Sequence, residues 1–179
     1  MQISDQVENA KVIAEKILDQ TRRALLEEDF DAYKQAFLLP HIHTTLDGTA
    51  FLDTMDDLKM LHTRMTQVFA SMGVDDIHRV ILSAEFSGAS RVLVQIEVHH
   101  LRGGCRVNKP YHVTAELVRC GQQWRIGSAN YMVDHHNAAI ADALMPRYFP
   151  SEQPSLPQIT DQPFARQMNL GARNMNLEK

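Results

Sequence analysis

The chain has 179 residues, 44% of them hydrophobic and 22% charged, with a formal net charge of −4. That length accommodates one domain with a sizeable core plus an appendage. No basic stripe marks a nucleic-acid surface, no apolar run is long enough to span a bilayer, and Met1-Gln2-Ile3-Ser4-Asp5 lacks a signal-peptide pattern. Cys105 and Cys120 are expected near opposite ends of one strand, tens of ångströms apart at a rise of about 3.3 Å per residue, too far for a disulfide. They read as small, buried, apolar free thiols in a reducing cytoplasm.

Helical spacing governs the first half. Asp5-x-x-Glu8 has the form of a capping box, and Val7, Ala10, Ala14, Ile17, Leu18, Thr21, Ala24 and Leu25 form one apolar stripe. A second, short helix presents Phe30, Tyr33 and Phe37 and is expected to end at Pro40. Asp47-Gly48 between two β-prone runs predicts a hairpin. A third helix, capped at Asp53 or Thr54 and ended by Gly73, carries Met55, Leu58, Leu61, Met65, Val68, Phe69 and Met72 inward. Its methionines read as core filler.

From Val74 the period changes to two, predicting strands at 77–86, 91–101, 106–120 and 123–131, joined by short turns into an antiparallel meander. A last helix is expected over 137–144. Residues 146–179 hold five of the seven prolines and little periodicity. They read as an arm outside the domain of residues 1–145, lying along this subunit or a partner.

The element order, together with Glu28-Asp29-Phe30-Asp31-Ala32-Tyr33, the Leu46-Asp47-Gly48 turn and the closing Gly121-Gln122-Gln123-Trp124-Arg125-Ile126, resembles the nuclear transport factor 2-like superfamily, which includes SnoaL-like polyketide cyclases. The likeness covers roughly residues 5–135. It implies an α+β cone: a strongly curved antiparallel sheet covered by three N-terminal helices, with an internal pocket and a tendency to form homodimers through the outer sheet face. The superfamily hosts isomerases, dehydratases, cyclases, epoxide hydrolases, dioxygenase β subunits and binding proteins, so the fold does not choose the chemistry.

Nine histidines stand out. His41 and His43, at i and i+2 of a strand, project to one face, but no carboxylate completes a local ligand set, so no metal site or cofactor is expected. His100 falls on the face of Val92, Val94, Ile96 and Val98, a polar ring among aliphatic groups, while His99 joins Gln95 and Glu97 opposite. Tyr111 is expected inward beside His100, and Tyr33 approaches from the second helix. Trp124, Ile126, Ser128 and Asn130 share a face of the last strand, placing Ser128 and Asn130 in the pocket. His135-His136 reads as surface.

Three readings remain open. One is an enzyme of lyase, isomerase, cyclase or hydrolase type acting on a small apolar substrate, with His43 or His100 moving a proton in place of the usual carboxylate. The second is a non-catalytic binding or oligomerisation module, and the third is the small β subunit of an oxygenase complex.

Overall fold

The computed structural model describes residues 9–145. The expected capping box and Val7 precede these residues, and the proline-rich arm follows them. Helix α1 (Ala10–Leu26) starts at Asn9, whose side-chain oxygen accepts the Lys11 amide at 2.9 Å. Its buried face is the apolar stripe of the sequence from Ala10 onward. Helix α2 (Phe30–Gln35) is capped by Asp29, and helix α3 (Met55–Met72) by Thr54. Thr54 and Asp57 form a reciprocal capping box, and Gly73 closes α3 in the left-handed region at φ 66°. The expected inner stripe of α3 holds except at its first residue, Met55, which is exposed.

Strand β1 (Phe37–Thr45) and strand β2 (Gly48–Leu52) form the hairpin that Asp47-Gly48 signals, with Thr45 opposite Gly48. Here the expected helix end needs correcting. Pro40 does not terminate α2, which stops before Phe37; it lies inside β1. The register of β1 on its parallel neighbour skips from Phe37 to Ile42, so the missing Pro40 N–H falls where no ladder bond is required.

The meander comprises β3 (Asp76–Phe86), β4 (Arg91–Arg102), β5 (Cys105–Arg106), β6 (Tyr111–Cys120) and β7 (Gln123–Met132). The single strand expected over 106–120 is two pieces. Gly103-Gly104 turn β5 back onto the end of β4, and Pro110 separates it from β6. Cys105 and Cys120 are free thiols on different strands, and Cys105 is exposed rather than buried. A short 3-10 turn (His135–Asn137) leads into α4 (Ala138–Leu144).

The seven strands make one open sheet in the order β2-β1-β7-β6-β4-β3, with β5 on β4. It is not wholly antiparallel as expected, because β1 and β7 run parallel. The chain enters β1 before the meander and returns beside it in the same direction at the end. Register shifts in β1, β3 and β7 add local bend to the sheet. The face of Val92, Val94, Ile96 and Val98 on β4, with Val113, Ala115 and Leu117 on β6, forms the core beneath α1, α2 and α3.

One bulge decides which side chains enter that core. Glu116 pairs with Ser128 and Leu117 with Ile126, leaving Gly127 as the extra residue of β7. Alternation therefore slips by one: Ile126 is buried, then Ala129, while Ser128 is half-buried and Asn130 exposed. A Cβ at residue 127 would lie 2.9 Å from Val118 Cγ2, which is why the position takes glycine. Gly127→Ala is expected to cost about 1–3 kcal/mol of stability in urea unfolding, with most of the loss recovered in a Val118→Ala background. An unchanged midpoint for the single variant would contradict this account of the bulge.

Candidate functional site

Between the inner sheet face and the helices lies a cavity with about 70 Å³ of space for water centres, several times the roughly 10–15 Å³ that one water needs. Aliphatic groups of β4 and β6 form much of its wall. Its polar lining is Tyr33, Tyr111, Tyr131, His100, Arg79 and Thr21. No Asp or Glu lines it among the described residues.

Alternation on the strands puts His100 and Tyr111 here as the sequence predicts, and the short α2 turns Tyr33 in. The Tyr111 hydroxyl lies 3.5 Å from His100 Nε2, a long contact, with ring centroids 5.6 Å apart. His100 Nδ1 and Asn108 Oδ1 make no hydrogen bond of full geometry, although the Asn108 side chain favours the charged imidazole. Burial dominates, aided by the charge of Arg79, and lowers the His100 pKa to about 4. At neutral pH this ring is an uncharged acceptor of low basicity.

His41 and His43 share a face and are both fully buried, as two-residue spacing dictates, with ring centroids 6.0 Å apart. Neither lines the cavity. His41 Nδ1 donates to the Gly127 carbonyl at 3.2 Å, and His43 Nε2 donates to the Leu144 carbonyl, tying β1 to β7 and to α4. These bonds fix both tautomers and leave His41 Nε2 and His43 Nδ1 as buried bare nitrogens. Burial, reinforced by His43, lowers the His41 pKa to about 4, and burial also lowers that of His43.

Ser128 and Asn130 are corrected: the Gly127 bulge turns both to the outer face and brings Ala129 and Tyr131 inward in their place. His99 lies on the outer face as expected, yet it is buried there, with Nε2 2.8 Å from Glu97 Oε1. Asp134, His135 and His136 cluster closely enough to hold a metal ion, but they lie at the surface, away from the cavity. Sequence reasoning missed Arg79 and Tyr131. The signal for Arg79 was its place between Ile77 and Ile81 on the inward parity of β3; the signal for Tyr131 was the glycine within β7.

No protein-family model and no curated protein sequence matches this chain. Solved structures match its fold. A domain of unknown function with a cystatin-like fold from Nostoc punctiforme superposes with a TM-score of 0.54 at 11% identity, over 74% of this chain and 83% of that one. An NTF-2 like protein of unknown function from Shewanella oneidensis gives 0.51 at 12%, over 69% and 98%. Another from Silicibacter pomeroyi gives 0.51 at 13%, over 75% and 100%. The expected nuclear transport factor 2-like, cystatin-like fold is the fold of this chain.

Because His41 and His100 are far less basic folded than unfolded (about 4 against 6.5), the unfolded chain binds more protons between those values. Stability is therefore full above about pH 6.5 and falls towards pH 4, on the order of 3 kcal/mol for each ring. Imidazole NMR signals of His41 and His100 should stay untitrated down to about pH 5. Ring titration near pH 6.5 in the folded protein would contradict these placements.

Proposed function

We propose that the interior of this NTF2-like cone is a small-molecule binding pocket, and that binding rather than proton-transfer catalysis is its role. The observation that carries this reading is an apolar-walled cavity into which Tyr33, Tyr111, Tyr131, His100 and Arg79 converge. Among the described residues the Tyr33 and Tyr131 hydroxyls form no hydrogen bond, so both are available to a guest. A catalytic use of the cavity falls to His100, next to the Tyr111 hydroxyl. Its low basicity and the lack of a lining carboxylate among the described residues favour passive binding. His43 does not line the cavity and is committed to the Leu144 carbonyl, so it supports no proton transfer to a guest.

The outer sheet face supports pairing of two copies. Ile42 of β1 and Phe51 of β2 are opposite one another and both exposed, and Leu93 of β4 and Met132 of β7 are 45% and 49% exposed. Single exposed apolar residues are ordinary, but several on one sheet face make an association surface. A Phe51→Lys, Leu93→Lys double variant should halve the mass seen by light scattering at micromolar concentration. An unchanged mass would remove this dimer.

The pocket itself is tested with xenon, which enters apolar cavities whatever their natural guest. Xenon-129 NMR should detect binding to the wild-type protein and little to Ala115→Phe, whose ring fills the cavity. Equal signals from the two proteins, with both folded by circular dichroism, would mean that the interior is closed.

A further inference from the structure

Arg79 brings to the cone interior a charge that nothing in the described structure balances. It lies on β3 with the inward parity of Ile77 and Ile81 and lines the cavity. Its Nη1 donates to the Leu18 carbonyl at 2.7 Å and to Thr21 Oγ1 at 2.8 Å, both on α1 and both neutral. These bonds fix the direction of the side chain without neutralising it. Nε and Nη2, the other edge of the guanidinium fork, have no hydrogen-bond partner among the described residues, and neither is sealed from access.

The nearby carboxylates are occupied elsewhere. Asp19 of α1 is held by Arg22 and Arg23, and Asp76 of β3 by Arg22 at 3.0 Å. Arg22 is a second cation that opposes the charge of Arg79, and desolvation opposes it more strongly. Arginine does not lose its proton under these conditions, so the charge persists at a half-buried position between the cavity and the outer groove of α1 and β3. Such a charge is expensive to bury and is normally paired. Tyr33, Tyr111 and Tyr131 surround it, and burial raises the pKa of each, so all three keep hydroxyl protons that they can donate to an anion.

We infer that the pocket takes a ligand with one carboxylate and an apolar body, the carboxylate pairing with Arg79 and the body lying against the aliphatic wall of β4 and β6. A guanidinium fork matches a planar carboxylate in two parallel hydrogen bonds. A single unpaired cation suits a monoanion better than a phosphate ester, whose second charge would find no counterpart in these walls. Arg79 also lines a groove on the outer side, between α1 and β3, but there it is joined by Glu15, Asp19 and Asp76, so an anion is favoured in the cavity rather than in the groove. This inference rests on the reading of the interior as a ligand pocket and adds the chemical class of the ligand.

The test uses two matched pairs, phenylacetate with phenylacetamide and hexanoate with hexanamide, titrated into the full chain by calorimetry and by chemical-shift mapping. The expected result is that each carboxylate binds at least tenfold more tightly than its amide, with shifts in Tyr33, Tyr111 and Tyr131. Arg79→Gln should reduce that preference to less than threefold, and Arg79→Lys should retain part of it. The wild-type comparison needs no variant, so it decides the matter even if Arg79→Gln fails to fold. Equal binding of acid and amide would overturn the carboxylate and leave the pocket standing. Binding of neither, while xenon still enters, would do the same. If xenon is also excluded, the pocket reading falls with it.

Discussion

An arginine side chain keeps its proton at every pH at which this protein folds, so wherever Arg79 points a positive charge must be accommodated. The β3 alternation points it into the cone, between helix α1 and the tyrosines of α2, β6 and β7. Two neutral oxygens of α1 hold it in place. Around it stand the Tyr33 and Tyr131 hydroxyls, which make no hydrogen bond among the described residues, and a neutral imidazole whose proton affinity the same charge depresses; no acid among the described residues lines the cavity to quench it. A purely structural core would be cheaper to build with leucine at this position. The unbalanced charge is the observation on which the proposed reading as a binding pocket, rather than a packing defect of similar volume, rests.

The histidines, which dominate the first impression of the sequence, have mostly another role. His41, His43 and His62 each donate one ring proton to a backbone carbonyl, of Gly127, Leu144 and Ala24 respectively. Each such bond ties together elements distant in sequence: β1 to β7, β1 to α4, and α3 to α1. The Gly127 and Leu144 carbonyls lie at a bulge and at a helix end, where the regular ladder has no partner to offer, while the Ala24 carbonyl also accepts the Asp29 amide at 2.9 Å. Neutral imidazole suits this work because it donates without carrying charge into the core.

Much of the fold was legible because it rests on periodicity. The stripes of α1 and α3, the alternation that buries His41, His43, His100 and Tyr111, and the Asp47-Gly48 hairpin follow from residue spacing alone. What escaped was non-local or exceptional. The parallel pairing of β1 with β7 depends on where the chain returns, which no local pattern encodes. Pro40 within β1 is tolerated only because of a register skip on the neighbouring strand. The inward turn of Ser128 and Asn130 failed at one residue, Gly127, since a bulge reverses every side chain beyond it. A glycine inside an otherwise regular strand was the available warning. Arg79 was hidden differently: a charge within an alternating strand is ordinarily assigned to the solvent face, and Val80 and Leu82 on the opposite parity mask the inward signal of Ile77 and Ile81.

The most direct test of an interior built around an unbalanced guanidinium is a crystal structure of the full chain grown with phenylacetate. The account predicts the carboxylate in the cavity with both oxygens within hydrogen-bond distance of Arg79, and the ring against Val113 and Ala115. An Arg79 paired with a carboxylate of the protein's own chain, or a cavity closed by its side chains, would contradict it.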